Sequence, residues 1–81
     1  MITSYTVTLV YSDMSDFTKA FHDMVSADMF VQTAKEKPSI IRIIVYEIKT
    51  DNSGILSRSI KNRKTLSVWQ RTTDGWLCRF Q

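Results

Sequence analysis

The dipeptide Asp74-Gly75 lies between two alternating segments near the end of the chain, a pattern typical of a β-hairpin. A two-residue loop would place Trp69 and Arg71 on the face of Trp76, whereas a three-residue loop, 73–75, would send them to the other face. Because the longer loop collects a nearly continuous apolar face, we predict that burial selects it. That face would consist of Leu66, Val68, Trp76, Cys78 and Phe80.

The three-residue loop turns an aromatic and basic surface away from the core. Trp69 would lie opposite Arg79, with Arg71 beside them, and an arginine can stack on an indole as a cation–π pair. The same pair could hold a base and a phosphate of single-stranded nucleic acid. The alternative is ordinary cross-strand packing on a solvated sheet face.

Size and composition restrict the class of protein. The chain has 81 residues, enough for one small domain, and its 43% hydrophobic content is too high for a disordered chain. A single cysteine excludes an internal disulfide. We expect no signal peptide, because no basic region precedes an apolar run, and no contact with membranes. We therefore expect a cytoplasmic protein, in the host cytoplasm if the source is a virus.

Charge is distributed unevenly along the chain. Residues 1–38 carry three lysines and five acidic residues, a net −2, whereas residues 39–81 carry eight basic and three acidic residues, a net +5. We predict a nucleic-acid or partner contact in the second part, although basic residues near a turn also occur as plain solvated surface. The predicted contact residues are Arg42, Arg58, Lys61, Arg63, Lys64, Trp69, Arg71 and Arg79.

Arg42 lies inside the most β-branched segment, which we expect to be the central strand. It either extends along the sheet to reach solvent or an aspartate, or it adds to the basic surface.

Hydrophobic periodicity predicts one helix among several strands. Residues 2–11 alternate as a strand, and residues 13–35 are expected to form a helix with a kink or break near Ser26. Phe17, Phe21 and Met24 would lie on its apolar face, and Pro38 would follow its end. Further elements are a strand at 39–50, a turn at 51–54, a short strand at 55–60, a turn at 61–63, and the closing hairpin.

These elements predict an α+β fold in one domain, 1–81, with the order β-α-β-β-β. One helix, which has a kink if residue 26 interrupts it, would pack on one face of a mostly antiparallel sheet. A right-handed crossover would make the first two strands parallel. The other face would be left bare, as a partner site or a dimer interface.

Residues with catalytic chemistry are sparse. His22 is the only histidine and has no second metal ligand near it in the sequence. Cys78 would lie in apolar surroundings, where a thiol is inert. Neither glycine belongs to a phosphate-binding loop, since both lie in turn sequences. We therefore expect no enzyme, no cofactor and no metal.

Two segments resemble known families. Residues 16–24, Asp-Phe-Thr-Lys-Ala-Phe-His-Asp-Met, between one strand and an Ile/Val-rich strand, resemble the layout of small T-even phage accessory proteins. These include Dmd-like antitoxins, and the resemblance implies a host RNase toxin, RNA, or both as partners. Residues 65–77 are similar to the closing hairpin of NTF2-like domains, which implies a cavity lined by Tyr5, Phe17, Phe21 and Trp76.

The first functional hypothesis is therefore a non-enzymatic binding protein that inhibits a host defence toxin through RNA or ribonucleoprotein contact. The second is a protein-interaction or dimerisation module that does not bind RNA, and we expect a homodimer. The third is a small NTF2-like ligand-binding or enzyme domain.

Overall fold

A computed structural model of the chain describes residues 2–51 and 59–80. Its elements are β1 (Ile2–Tyr11), β2 (Asp16–Phe21), α1 (Met24–Lys35), β3 (Ile40–Asp51), β4 (Ser59–Thr72) and β5 (Gly75–Phe80). The strands form one sheet in the order β2-β1-β3-β4-β5, and every neighbouring pair is antiparallel. This confirms the α+β class with one helix on a mostly antiparallel sheet, but the order is β-β-α-β-β-β instead of β-α-β-β-β, with an unpredicted strand before the helix.

The additional strand, β2, occupies the first part of the predicted helix, so the helix start at residue 13 is wrong. Residues 12–15 form a turn in which the amide of Tyr11 donates to the Ser15 carbonyl at 2.8 Å and Asp13 accepts the Ser15 amide at 3.0 Å. Phe17 and Phe21 lie on one face of β2, opposite Leu9 and Tyr5. Residues four apart share a face in a strand as well as in a helix, so their spacing fits both structures.

The helix begins at Met24, with Asp23 as its N-cap. The Asp23 carboxylate accepts the Ser26 amide at 2.7 Å, so the start of the helix replaces the predicted kink near this position. Ala27, Val31 and Ala34 are buried at the helical spacing of four and three residues. The helix ends at Lys35, before Pro38, as predicted.

The hairpin of β1 and β2 also changes the direction of the sheet. It returns the chain before α1, so β3 pairs antiparallel with β1, and the predicted parallel pairing of the first two strands is wrong. β3 then pairs with β4, which runs through residues 61–63, so the turn predicted there is also wrong. The turn predicted at 51–54 and the strand at 55–60 lie mostly outside the described residues.

The core lies between α1 and one face of the sheet. Val7, Leu9, Ile43 and Val45 form the sheet side of this core, and each is at most 3% exposed. The buried helix residues and Ile40 complete it. The side chains on the opposite face of these central strands point away from the only helix in the described part of the chain.

Candidate binding surface on the open face of the sheet

The closing hairpin has a shorter loop than predicted, and this reverses its faces. Thr72 pairs with Gly75 and Arg71 with Trp76, so Thr73 and Asp74 alone form the loop and the predicted three-residue loop is wrong. Gly75 takes the positive φ of 120° that the turn requires. The hydroxyl of Thr72 donates to the Gly75 carbonyl at 2.8 Å.

This register brings both indoles to the helix. Trp69 and Trp76 are half-buried against the core, together with Leu66. An indole buries far more apolar area than the valine that our predicted register would have placed there. Leu66 is an extra residue of β4 between Thr65 and Ser67, and at this irregularity its side chain packs against the core.

Trp69 and Arg71 therefore contact the helix layer, and their predicted outward position is wrong. Trp69 pairs with Ile43, and the Nζ of Lys35 lies 3.2 Å from the centroid of its ring. The guanidinium of Arg71 donates to the carbonyls of Ile40 and Lys37, both at 2.8 Å. These two side chains hold the end of the helix on the sheet.

The face of the sheet opposite α1, here called the open face, follows from strand register. Val7, Leu9, Ile43 and Val45 point towards the helix, so the alternate residues of β1 and β3, and the residues paired with them, point the other way. Among the described residues, the open face consists of Ser4, Thr6, Thr8, Val10, Asp16, Thr18, Ala20, Arg42, Ile44, Tyr46, Ile48, Arg63, Thr65, Val68, Gln70, Thr72 and Leu77.

Two of the predicted site residues, Arg42 and Arg63, lie on the open face, and both are exposed. The Nε of Arg42 donates to the side-chain carbonyl of Gln70 on β4 at 3.0 Å. The guanidinium carbon of Arg63 lies 4.4 Å from the centroid of the Tyr46 ring. Arg79 is exposed on the edge strand β5, at an irregular position between Cys78, which pairs with Trp69, and Phe80, which pairs with Val68.

The predicted basic cluster is divided by the sheet. Lys64 pairs with Glu47 and is exposed on the helix side, opposite in direction to its neighbour Arg63. Lys61 belongs to β4, but its side chain is outside what the structure describes, and Arg58 lies outside the described residues. Residues adjacent in a strand cannot form one patch, because their side chains alternate between faces.

Tyr46, Ile44 and Val68 were not among the predicted site residues. All three are half-buried on the open face, around the centre of the sheet. β3 has isoleucine and valine on both of its faces, so the sequence does not show which face is buried under the helix. The signal that could have identified Tyr46 is Arg42, four positions earlier and therefore on the same face of the strand.

A shallow groove lies elsewhere, between α1 and the first hairpin. Its volume is about 170 Å³, and it is lined by Leu9, Tyr11, Phe17, Phe30, Thr33, Ala34, Lys37 and Ile40. Of the four residues predicted to line an NTF2-like cavity, it includes Phe17 but not Tyr5, Phe21 or Trp76. It is also smaller than typical small-molecule sites, which occupy about 300–1,000 Å³.

Within residues 2–51 and 59–80, no three His, Cys, Asp or Glu side chains come together in a way that could hold a metal ion. In the same residues, no helix has the length and apolar content needed to cross a membrane. Comparisons with protein-family models, curated proteins and solved structures find no match to this chain.

Proposed function

We propose that this chain is a non-catalytic binding protein and that the open face is its contact surface. The observation that carries the proposal is the one-sided sheet: α1 covers one face, while the other presents apolar side chains bordered by arginines. Leu77 on this face is 53% exposed. Large apolar side chains on an uncovered surface, with polar groups around them, are typical of sites that bind a macromolecular partner.

Inhibition of a host toxin through RNA or ribonucleoprotein contact is one form that this function takes. Arg42, Arg63 and Arg79 support a contact with an anionic partner, whereas Trp69 and Arg71, which belonged to the original hypothesis, serve the helix contact instead. The toxin itself remains a proposal that rests on the resemblance of residues 16–24.

A homodimer through the open face is the second candidate, favoured by the half-buried apolar side chains of Val10, Ile44 and Val68. A two-fold dimer would bring one arginine-bearing surface against its own copy. Like charges that face each other across an interface oppose association. The arginines therefore favour a different, anionic partner over a second copy.

The test compares two exposed apolar residues on opposite sides of the molecule. Leu77→Glu adds a charge to the open face, and Val25→Glu adds the same charge to the outer surface of α1, where Val25 is 70% exposed. Each purified variant is used to capture partners from a host lysate, with and without RNase, and light scattering reports its oligomeric state.

We expect Leu77→Glu to lose the partner or the dimer and Val25→Glu to retain it. Equal capture by both variants, or loss only in Val25→Glu, would place the contact surface elsewhere. Sensitivity of capture to RNase separates an RNA partner from a protein partner.

A further inference from the structure

The charge of the open face points to the chemistry of its ligand. The residues that strand pairing places on this face include two arginines, Arg42 and Arg63, and one acidic residue, Asp16, a net charge of +1, and the exposed Arg79 lies nearby on the edge strand β5. Asp16 lies on the outer strand β2, so the open-face residues of β3, β4 and β5 include no carboxylate among those described. We infer that the ligand is a single-stranded nucleic acid, and this inference rests on the proposed function of the open face.

The arginines lie apart from one another around the apolar centre of the sheet instead of forming one cluster. Arg42 and Arg63, which pairs with Ile48, lie about 20 Å apart along the β3–β4 pair. Arg79 lies two strands to the side of β3, about 10 Å away. Charges spaced in this way can follow a polyanion across the sheet, whereas a single phosphate would contact only one of them.

Tyr46 adds a stacking group to these charges. Its ring is half-buried on the open face, and the guanidinium of Arg63 lies over it, 4.4 Å from the ring centroid. A tyrosine ring and a guanidinium plane are both surfaces on which unstacked bases pack. Together they form a flat aromatic and cationic platform near the centre of the sheet.

The shape of the surface favours a single strand over a duplex. A sheet face offers no helix or projecting ribbon that could enter a groove, but it does allow extruded bases to lie flat on it. Hydroxyl groups next to the platform, on Thr6 and Thr65, can bond to base edges or sugar hydroxyls. An acidic protein would also match the charge, but it would not need a stacking platform.

The experiment uses neighbouring residues that the strand sends to opposite faces. Arg63→Gln and Lys64→Gln each remove one positive charge, from the open face and from the helix side respectively. Binding of fluorescent single-stranded RNA and DNA oligonucleotides to the full chain is measured by anisotropy over a range of salt concentrations. We expect Arg63→Gln to weaken binding about tenfold and Lys64→Gln to change it less than twofold.

The salt dependence and the platform give two further readouts. Arg79→Gln should reduce the slope of log K against log salt by about 0.7, the value for one phosphate contact on a single strand. Tyr46→Phe should retain binding because the ring remains, whereas Tyr46→Ser should weaken it in a variant whose circular dichroism spectrum matches the wild type. Comparison of RNA with DNA shows which of the two is the preferred ligand.

Equal losses in Arg63→Gln and Lys64→Gln, or no binding of either oligonucleotide at low salt, would overturn the inference. In that case, the wild type could still capture a partner after RNase treatment that the Leu77→Glu variant does not capture. The open face would then be a protein-binding surface. That result keeps the proposed function while rejecting nucleic acid as its ligand.

Discussion

Arg71 and Trp76 both donate a hydrogen bond to the main-chain carbonyl of Lys35, at the last turn of α1. The indole Nε1 of Trp76 lies 3.1 Å from this oxygen and the Nη2 of Arg71 lies 3.4 Å from it, while the guanidinium carbon is 4.5 Å from the Trp76 ring centroid. The last carbonyls of a helix have no partner within the helix, and its C-terminus attracts positive charge. The closing hairpin therefore stabilises the end of the helix.

Replacement of Arg71 by lysine tests the geometry of this contact. Lysine keeps the positive charge, but it lacks the planar fork that reaches the Ile40, Lys37 and Lys35 carbonyls together. We expect Arg71→Lys to lower the free energy of unfolding in urea by about 1–2 kcal/mol. Arg79→Lys, at an exposed position, is the control and should change it by less than about 0.5 kcal/mol. Equal effects would show that Arg71 contributes only its charge.

The two tryptophans allow the hydrogen bond of Trp76 to be separated from its packing. Trp69 packs against the same core, but it contacts Lys35 through the face of its ring. A change of tryptophan to phenylalanine removes a similar volume at both positions. The difference in unfolding free energy between the two variants therefore reports the Nε1 hydrogen bond of Trp76. We expect Trp76→Phe to cost about 1 kcal/mol more than Trp69→Phe in urea unfolding. A larger loss for Trp69→Phe would contradict this.

Within residues 2–51 and 59–80, two turns contain a residue with positive φ, and only one of them uses glycine. Met14, with φ of 73°, is the only such non-glycine among the described residues, and this conformation strains a side chain. We expect Met14→Gly to raise the unfolding free energy by about 0.5–1 kcal/mol, after subtraction of the entropy that glycine gains in the unfolded chain.

Gly75 provides the opposite test. An added Cβ would meet no atom within 4 Å, but the φ of 120° is one that residues with a side chain rarely adopt. We therefore expect Gly75→Ala to destabilise the protein by more than about 1 kcal/mol in spite of the open space. If urea unfolding showed no change, the turn could shift to a different conformation.

The N-cap Asp23 makes the helix start sensitive to acid. Hydrogen bonds to the carboxylate from Ser26, first from its amide and then from its hydroxyl, lower the pKa of Asp23 below its ordinary value of 3.8. A carboxyl group whose pKa is lower in the folded state stabilises the fold above its unfolded pKa. Its contribution is lost as the pH falls through the folded pKa.

We expect the urea midpoint of Asp23→Ala to lie below that of the wild type at pH 7. The difference between the two urea midpoints should narrow as the pH falls from about 4 towards the lowered pKa of Asp23. Asp23→Asn, which retains a capping oxygen, should lose less at pH 7 than Asp23→Ala. A gap that stayed constant with pH would show that the charge of Asp23 does not contribute.

Several elements could be predicted from local sequence alone. The alternation of β1, the β-branched run of β3, the end of the helix before Pro38 and the hairpin around Gly75 all appear where their residues indicate. Each of these follows from features within a few positions, namely the alternation of side chains, the backbone φ of Gly75 or the amide hydrogen that Pro38 lacks. The fold class followed because one helix and several strands can bury their apolar faces in few arrangements.

The candidate site depended on longer-range choices that the sequence leaves open. Phe17 and Phe21 satisfy a helix and a strand equally, so the presence of β2 was decided by its pairing with β1. This pairing then set the direction of β3. The side chains that contact the end of α1, such as Trp69 against Lys35, come from residues far away in the sequence.

The sequence by itself determined β1, β3, the end of the helix and the position of the closing hairpin, because those follow from local backbone and side-chain preferences. Only the tertiary structure decided which side of each strand became the open face. The loop at 73–74 sets that side for β5, and a difference of one residue exchanges the two faces. Burial of two indoles and capping of the helix end selected the shorter loop, and the pairing of β3 with β1 and β4 leaves Arg42 and Arg63 exposed beside the half-buried Tyr46.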